Sequence, residues 1–212
     1  MKYSFLPGLI FSLILLISCT SEKVKEDASI ETNDSSTSIE ETGNYKFWSK
    51  ITSLCGETYR GEIISGQSAG DFQGKELIMN VLSCDEDKIL IPFNVGENRS
   101  RTWILTKDQE QRITLKHDHR KEDGTNDEIT MYGGTTPNSG LSSMAIFPAD
   151  QETIDLINYA GTNVWWITVS DESFTYNLKR IGSESQFSVS FDLTNPVEQP
   201  QASWGWEGFE VN

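Results

Sequence analysis

Alternation of apolar and polar positions runs through the chain from residue 58 onward. Short runs rich in Val, Ile, Thr, Tyr, Phe and Trp predict strands over Thr58–Ser65, Lys75–Ser83, Lys88–Val95, Ser100–Thr106 and Arg112–Arg120. Further strands are predicted over Glu128–Gly133, Asn163–Val169, Phe174–Ile181 and Phe187–Leu193. Turn residues separate them: Ser68-Ala69-Gly70-Asp71, Gly96-Glu97-Asn98, Glu122-Asp123-Gly124, Asp171-Glu172 and Gly182-Ser183. One helix interrupts the series. Asp150 offers an N-cap, Ile154, Ile157 and Ala160 mark an apolar stripe, and Gly161 can close the end. About nine short strands with short connections predict a mostly β fold, an antiparallel meander closing into a barrel. A β-sandwich is the alternative. Closure is favoured because it removes exposed sheet edges.

The same alternation assigns faces. In Arg112–Arg120, Ile113, Leu115, His117 and His119 share one face. Arg112, Thr114, Lys116, Asp118 and Arg120 share the other, which is polar throughout and therefore expected in solvent. Both histidines then point inward. Ile89, Ile91, Phe93 and Val95 form one apolar face; Arg99, Arg101, Trp103 and Leu105 share another, as do Ile129 and Met131. If Trp103 opposes Leu115, Arg101 opposes His117 and Arg99 opposes His119. The inner wall then grades from apolar (Phe93, Trp103, Leu115) to polar (Arg101, His117, His119), as at the mouth of a small-ligand site. Met131-Tyr132-Gly133-Gly134 ends a strand there, either as a turn or bulge or as a close approach of backbone to ligand. Trp165, Tyr176, Phe187 and Phe191 continue the wall, and such aromatics can also fill a small barrel outright. A filled core and a ligand cavity both stay open.

The chain ends read differently. Met1-Lys2 precedes an apolar run, Phe5–Ile17, too short for a comfortable membrane span and of signal-peptide length. Leu16-Ile17-Ser18-Cys19 resembles the bacterial lipobox, which implies cleavage before Cys19 and lipidation of that residue. Thr20–Tyr45 is rich in Ser, Thr, Asp and Glu, the composition of a disordered tether. The expected organisation is a signal peptide over 1–18, a lipidated cysteine and acidic tether over 19–45, and a barrel domain over 46–212. Such a protein is held at a lipid bilayer in the bacterial cell envelope. In a Gram-negative cell that is the outer membrane, on its periplasmic or surface face. Trp204 and Trp206 are expected to strap the barrel or to present a partner-binding patch.

Charge and cysteine content narrow the partners. There are 17 Lys+Arg against 32 Asp+Glu, for a net charge of −15. Phosphate-backbone binding needs clustered positive charge, so nucleic acid is a poor partner. Apart from Cys19, Cys55 and Cys84 remain, an even pair in an exported compartment that permits a disulfide. They lie almost symmetrically about the turn near residues 69–70, where a bridge would staple the open end of the first hairpin.

The chain's 2 histidines both lie in the stretch Leu115–Gly124. On one strand face they have the spacing to chelate zinc or copper, but the predicted neighbours Arg99 and Arg101 repel a cation and supply no third ligand. An anion suits the same residues better. Arg101 offers a bidentate fork for carboxylate or phosphate, and both histidines can donate hydrogen bonds and gain charge as pH falls. The bland alternative is polar residues at a barrel rim that satisfy one another. No Gly-x-Ser-x-Gly, His-Glu-x-x-His or phosphate loop occurs. Catalysis therefore rests only on the presence of a general-base candidate. The candidate ligand-binding set is Arg99, Arg101, Trp103, His117, His119 and Met131. No cofactor is expected; zinc or haem held through His117 and His119 is the alternative.

The strings "RSRTW" (Arg99–Trp103), "LKHDHRKEDG", "MYGG", "NVWWI" and "FDLTNPV" together resemble a group of exported bacterial lipoproteins and secreted proteins to which no activity is assigned. The similarity spans about Leu54 to Trp206. It implies a lipocalin-like β-barrel and carries no catalytic residue or cofactor with it. The barrel is also loosely similar to lipocalin and nitrobindin folds, whose ligand habits are analogy at the level of fold. The expectation is a membrane-anchored lipoprotein whose barrel binds a small amphiphilic or anionic ligand at one mouth. A structural or interaction lipoprotein with a filled barrel, and a metal- or haem-binding barrel, are the alternatives.

Overall fold

The computed structural model describes residues 41–66, 70 and 72–209. The segment read as a signal peptide, Cys19, the tether up to residue 40 and most of the turn at 68–71 lie outside the described residues. The strands are β1 (Thr58–Ser65), β2 (Leu77–Asn80), β3 (Ser83–Cys84), β4 (Lys88–Val95), β5 (Asn98–Lys107) and β6 (Ile113–His119). They continue as β7 (Tyr132–Thr135), β8 (Met144–Pro148), β9 (Asn163–Val169), β10 (Ser173–Arg180) and β11 (Gln186–Pro196). All pair antiparallel in one sheet of order β7-β6-β5-β4-β2-β1-β11-β10-β9-β8, with β3 attached to β4. The sheet rolls into a nearly closed barrel, so the expected mostly β architecture holds. The strand expected over Lys75–Ser83 is split into β2 and β3, and two further strands differ from expectation. β8 is short, ends in a proline and follows a Ser/Gly-rich loop, which hides its alternation of buried Ala145 and Phe147 with exposed Ile146. The strand expected over Glu128–Gly133 starts only at Tyr132.

The register between β5 and β6 sets the inner wall. Trp103 faces His117, Arg101 faces His119, and Leu105 faces Leu115, two residues away from the expected pairing. The connecting turn fixes this. Asp108 accepts hydrogen bonds from the backbone N–H of Glu110 and of Arg112, and Gln111 adopts φ 63°. A slip of two keeps every side chain on its face while shifting each along the barrel axis.

The ends of the sheet meet at a seam. No ladder joins β7 to β8 among the described residues; a short helix, α2 (Gln151–Leu156), bridges them. Asp150 caps α2 as expected, its carboxylate accepting from the Thr153 N–H at 2.9 Å. The Thr153 hydroxyl accepts from the Gly133 N–H at 2.6 Å and donates to the Gly133 carbonyl at 2.9 Å. The Asp150 N–H reaches the same carbonyl at 3.0 Å. A Cβ on Gly133 would collide with the Leu115 carbonyl, and one on Gly134 with the Pro148 carbonyl. The paired glycines therefore let three backbones close together; they do not make room for a ligand.

A second helix, α1 (Gly43–Thr52), was not legible in the acidic N-terminal segment and crosses the boundary expected at Tyr45. Thr42 caps it, and Phe47, Trp48 and Ile51 join the barrel core. Asn44 donates to Thr136 and to the Asn138 carbonyl, and Lys107 lies over the Trp48 ring at 4.9 Å. These partners sit at one end of the strands, so α1 plugs that end. Cys55, just past α1, is bonded to Cys84 with a Cα–Cα distance of 6.1 Å, as the cysteine count predicts. In the chain-entropy model such a loop stabilises the fold by roughly 3–4 kcal/mol.

The outer face of β4–β6 is not left to solvent. Ala202–Trp206 crosses it as a strap. The Arg99 side chain donates to the Ala202 carbonyl at 2.5 Å, and Ser203 donates to Asn94 at 3.0 Å. Trp206 packs with Leu82, Leu90 and Ile104 in a small second core. Its indole N–H donates to Asp118 at 3.0 Å, and Arg120 donates to the same carboxylate at 2.8 Å. Asp118 is thus 1% exposed, against the expectation that its face meets water.

Two stability measurements test these contacts. Thr153→Val strands the Gly133 N–H at the seam and leaves its carbonyl with the Asp150 N–H alone; it is expected to lower unfolding free energy by about 1–3 kcal/mol, read from urea denaturation. Trp206→Ala removes a buried aromatic and a donor to Asp118 and is expected to cost roughly 3 kcal/mol or more. A change below about 0.5 kcal/mol, the size of an ordinary surface substitution, would show the strap to be ornamental.

Candidate functional site

Ten strands follow one another round the barrel, so β5 and β10 stand on opposite walls. Side chains from these walls meet across the middle. The Trp103 and Tyr176 rings stack at 4.3 Å with 17° between planes. Phe93 also stacks on Trp103, at 4.8 Å. His117 reaches the Tyr176 hydroxyl at 2.7 Å and stacks on Tyr132 at 4.7 Å. Toward α1 the interior is packed with Leu105, Leu115, Phe147, Ile167, Phe174 and Phe191. On the other side of this aromatic layer it is open. A cavity of about 610 Å³ extends from Trp103, Trp165 and Tyr176 to a rim carrying Arg101, His119, Asn163, Arg180 and Gln186. The two readings of the interior thus divide it between them: filled below the layer, hollow above.

The hydrogen bonds fix the protonation of His117. Its Nδ1 lies 3.0 Å from the Tyr132 carbonyl, which can only accept, so Nδ1 carries the proton. Nε2 must then accept from the Tyr176 hydroxyl. Burial pushes the His117 pKa down to about 3, so the ring is neutral at physiological pH. The expectation that this histidine charges as pH falls through the mild acid range is corrected: its desolvation outweighs the bond to Tyr132. His119 is half-buried at the rim, with Nε2 at 3.1 Å from the Tyr132 hydroxyl. Burial first, and then the Arg101 charge, lower its pKa to about 4, while Asp127 and Asp118 pull the other way. Burial raises Tyr132 to about 12 and Tyr176 well above its ordinary value; both feel the Arg101 charge as an opposing pull. The aromatic layer is therefore uncharged.

Of the six residues expected at the site, four line the cavity: Arg101, Trp103, His117 and His119. Arg101 is half-buried, donates to Asn98 at 3.0 Å and lies over the Phe72 ring at 5.2 Å. Arg99 is elsewhere, engaged with the C-terminal strap on the outer side. Met131 is also elsewhere, 43% exposed with φ 59°. Its N–H bonds the His117 carbonyl at 2.7 Å, and the left-handed kink turns Tyr132 inward in its place. Sequence reasoning missed Tyr132 and Arg180 as wall residues, whereas Trp165, read as part of the inner wall, lines the cavity. Strand alternation carries the signal for Trp165, which shares a face with Ile167 and Val169. It carries none for Arg180, at a strand end.

A metal or haem fits poorly at His117, whose two ring nitrogens are both committed to protein partners. Among the described residues no three His, Cys, Asp or Glu side chains are grouped to hold a metal ion. No family model matches the chain, and no curated protein or solved structure is similar to it at a meaningful level.

The neutral histidines link stability to pH. Between pH 6.5 and the folded values, the unfolded chain binds more protons than the fold does. Stability is therefore complete above pH 6.5 and is lost as pH falls through about 4 for His119 and about 3 for His117. From pH 7 to pH 5, His117 alone is expected to cost on the order of 2 kcal/mol, at 1.36 kcal/mol per unit below the free value. Urea midpoints at the two pH values measure this, and His117→Gln is expected to flatten the dependence. An equal slope in both proteins would mean that His117 is not held neutral.

Proposed function

We propose that the barrel is a carrier or sensor of a small amphiphilic molecule, held on an exported, lipid-anchored protein. The observation that carries the reading is the cavity itself. Its volume of about 610 Å³ falls within the range of small-ligand sites, with an aromatic floor and polar groups confined to one rim. An apolar body would rest on Trp103, Trp165 and Tyr176, with a polar head toward Arg101, His119 and Arg180. The layer below is already packed, so the ligand's depth is set by the protein. The lipobox-like Cys19, the signal-like leader and a disulfide suited to an oxidising compartment support the envelope setting.

Leu178 lines the cavity and is half-buried. Leu178→Trp is expected to fill part of the space and to abolish binding of a small fluorescent apolar probe, N-phenyl-1-naphthylamine. The readout is energy transfer from protein tryptophan in the full chain reconstituted in nanodiscs, with empty nanodiscs subtracted. Far-UV circular dichroism should be unchanged. Equal binding by both proteins would place the probe outside the barrel and remove the main support for a carrier.

A further inference from the structure

We propose that the open end of the barrel is a membrane-docking surface, on which exposed apolar side chains around the cavity mouth enter the headgroup region of a lipid bilayer. The proposal takes only the membrane setting from the carrier reading and goes beyond it in naming the face of the domain that meets lipid.

The distribution of exposed apolar side chains supplies the first argument. Ile129 and Tyr159 line the cavity and are 47% and 67% exposed. Met131, Leu156 and Ile181, also exposed, directly adjoin the lining residues Tyr132, Ile157 and Arg180 in the chain. Ile64, exposed as well, stands two residues before Gly66, another lining residue. These positions come from the end of β1, the segment before β7, the α2 region and the turn after β10. Backbone bonds fix two of them: the Ile181 N–H donates to the Thr162 carbonyl at 2.9 Å, and the Met131 N–H to the His117 carbonyl at 2.7 Å. Among the described residues, the other large apolar side chains this exposed are Leu141, Ile146 and Phe209. Single exposed apolar residues are ordinary on a protein surface; their gathering from several segments round one opening marks an interaction site.

The form of the surface supplies the second argument, which concerns the occupant. A folded partner packs against a continuous patch, whereas this surface surrounds a hole. A fluid lipid surface conforms to such a rim. Charges beside the apolar positions are of both signs, with Glu128, Asp155 and Glu184 against Lys179 and Arg180. Attraction to a highly charged partner therefore does not account for the rim, and insertion of apolar side chains does. Tyr159, with the Arg180 guanidinium over its ring at 4.9 Å, joins an apolar body to a polar tip, the form that settles at headgroup level. Chain length permits the contact. The segment from Cys19 to Thr42, at about 3.3–3.6 Å per residue when extended, can reach farther than the 10-residue β5. An amphiphile leaving such a bilayer passes into the cavity without crossing water.

Photocrosslinking tests the assignment. p-Benzoylphenylalanine replaces Tyr159, Ile181 or, as a control, Leu141 in the full chain. Leu141 is 61% exposed and lies beside Gly43 of α1, at the sealed end. After irradiation in phosphatidylcholine nanodiscs, intact mass spectrometry is expected to show at least tenfold more lipid adduct at 159 and at 181 than at 141. With the photoreactive group at 159, Ile181→Asp is expected to lower the yield several-fold, and added salt to leave it unchanged. Equal yields at the three positions, or no lipid adduct at 159 and 181, overturn the proposal. Adducts to a second copy of the chain in place of lipid overturn it in favour of self-association. Binding of N-phenyl-1-naphthylamine by the same chains is read separately. Lipid adducts at the mouth without probe binding keep the docking surface and remove the carrier; probe binding without adducts does the reverse.

Discussion

The hydrogen bond between His117 and Tyr176 divides the barrel in two. It crosses the interior at 2.7 Å, joining walls that the chain connects only through many strands. A buried polar pair of this kind must be fully satisfied or it destabilises the core. Here each His117 ring nitrogen has one partner, and the ring is further packed against Tyr132. With the bridge in place, Trp103 can stack on Tyr176, and the layer closes over the aliphatic core toward α1. Above it, among the described residues, Trp103, Trp165 and Tyr176 border open space. The cavity is a consequence of where this bridge falls along the strands.

Two coverings on the outer side support that inner arrangement. The strap buries Asp118 on the face of β6 opposite His117 and His119, and ties β6 to β4 and β5 through Trp206, Leu90 and Ile104. The seam holds Tyr132 against His117, because Gly133 and Gly134 let β7 approach both β6 and the chain leading into α2. A residue with a side chain at either glycine would push β7 outward and carry Tyr132 away from both histidines. The cavity wall thus depends on contacts that never touch it.

Much of this was written in the alternation. β1, β4 and β9 follow the predicted spans, and Trp103, His117 and Arg101 share the inner face as period-two patterning requires. Four things were not legible, each for a physical reason. The two-residue register shift between β5 and β6 comes from the Asp108 turn, and alternation is blind to an even slip. Asp118 looks like a solvent residue in its own strand, and only a segment some ninety positions later covers it, with a sequence separation of 88 to Trp206. Met131 occupies an inward position by parity, but its left-handed backbone breaks that parity, and Tyr132 takes its place. α1 was hidden because its apolar residues follow directly on a long acidic stretch and are few. Local pattern therefore gave the strands, while cavity depth and the rim residues came from long-range contacts.

The position of α1 closes one end of the barrel and leaves the cavity to open at the other. The chain enters the domain through Thr42 and α1, at the end of the barrel that Phe47, Trp48 and Ile51 seal. The rim with Arg101, His119 and Arg180 is at the other end of the strands. β5 runs ten residues between these ends, about 30 Å along its path at the usual rise. The open mouth is thus the part of the barrel farthest from the chain entry. From the mouth inward, Arg101 and Arg180 come first and the aromatic floor second. That order suits an amphiphile with a soluble, charged head, because electrostatic capture at the rim precedes burial of the apolar part.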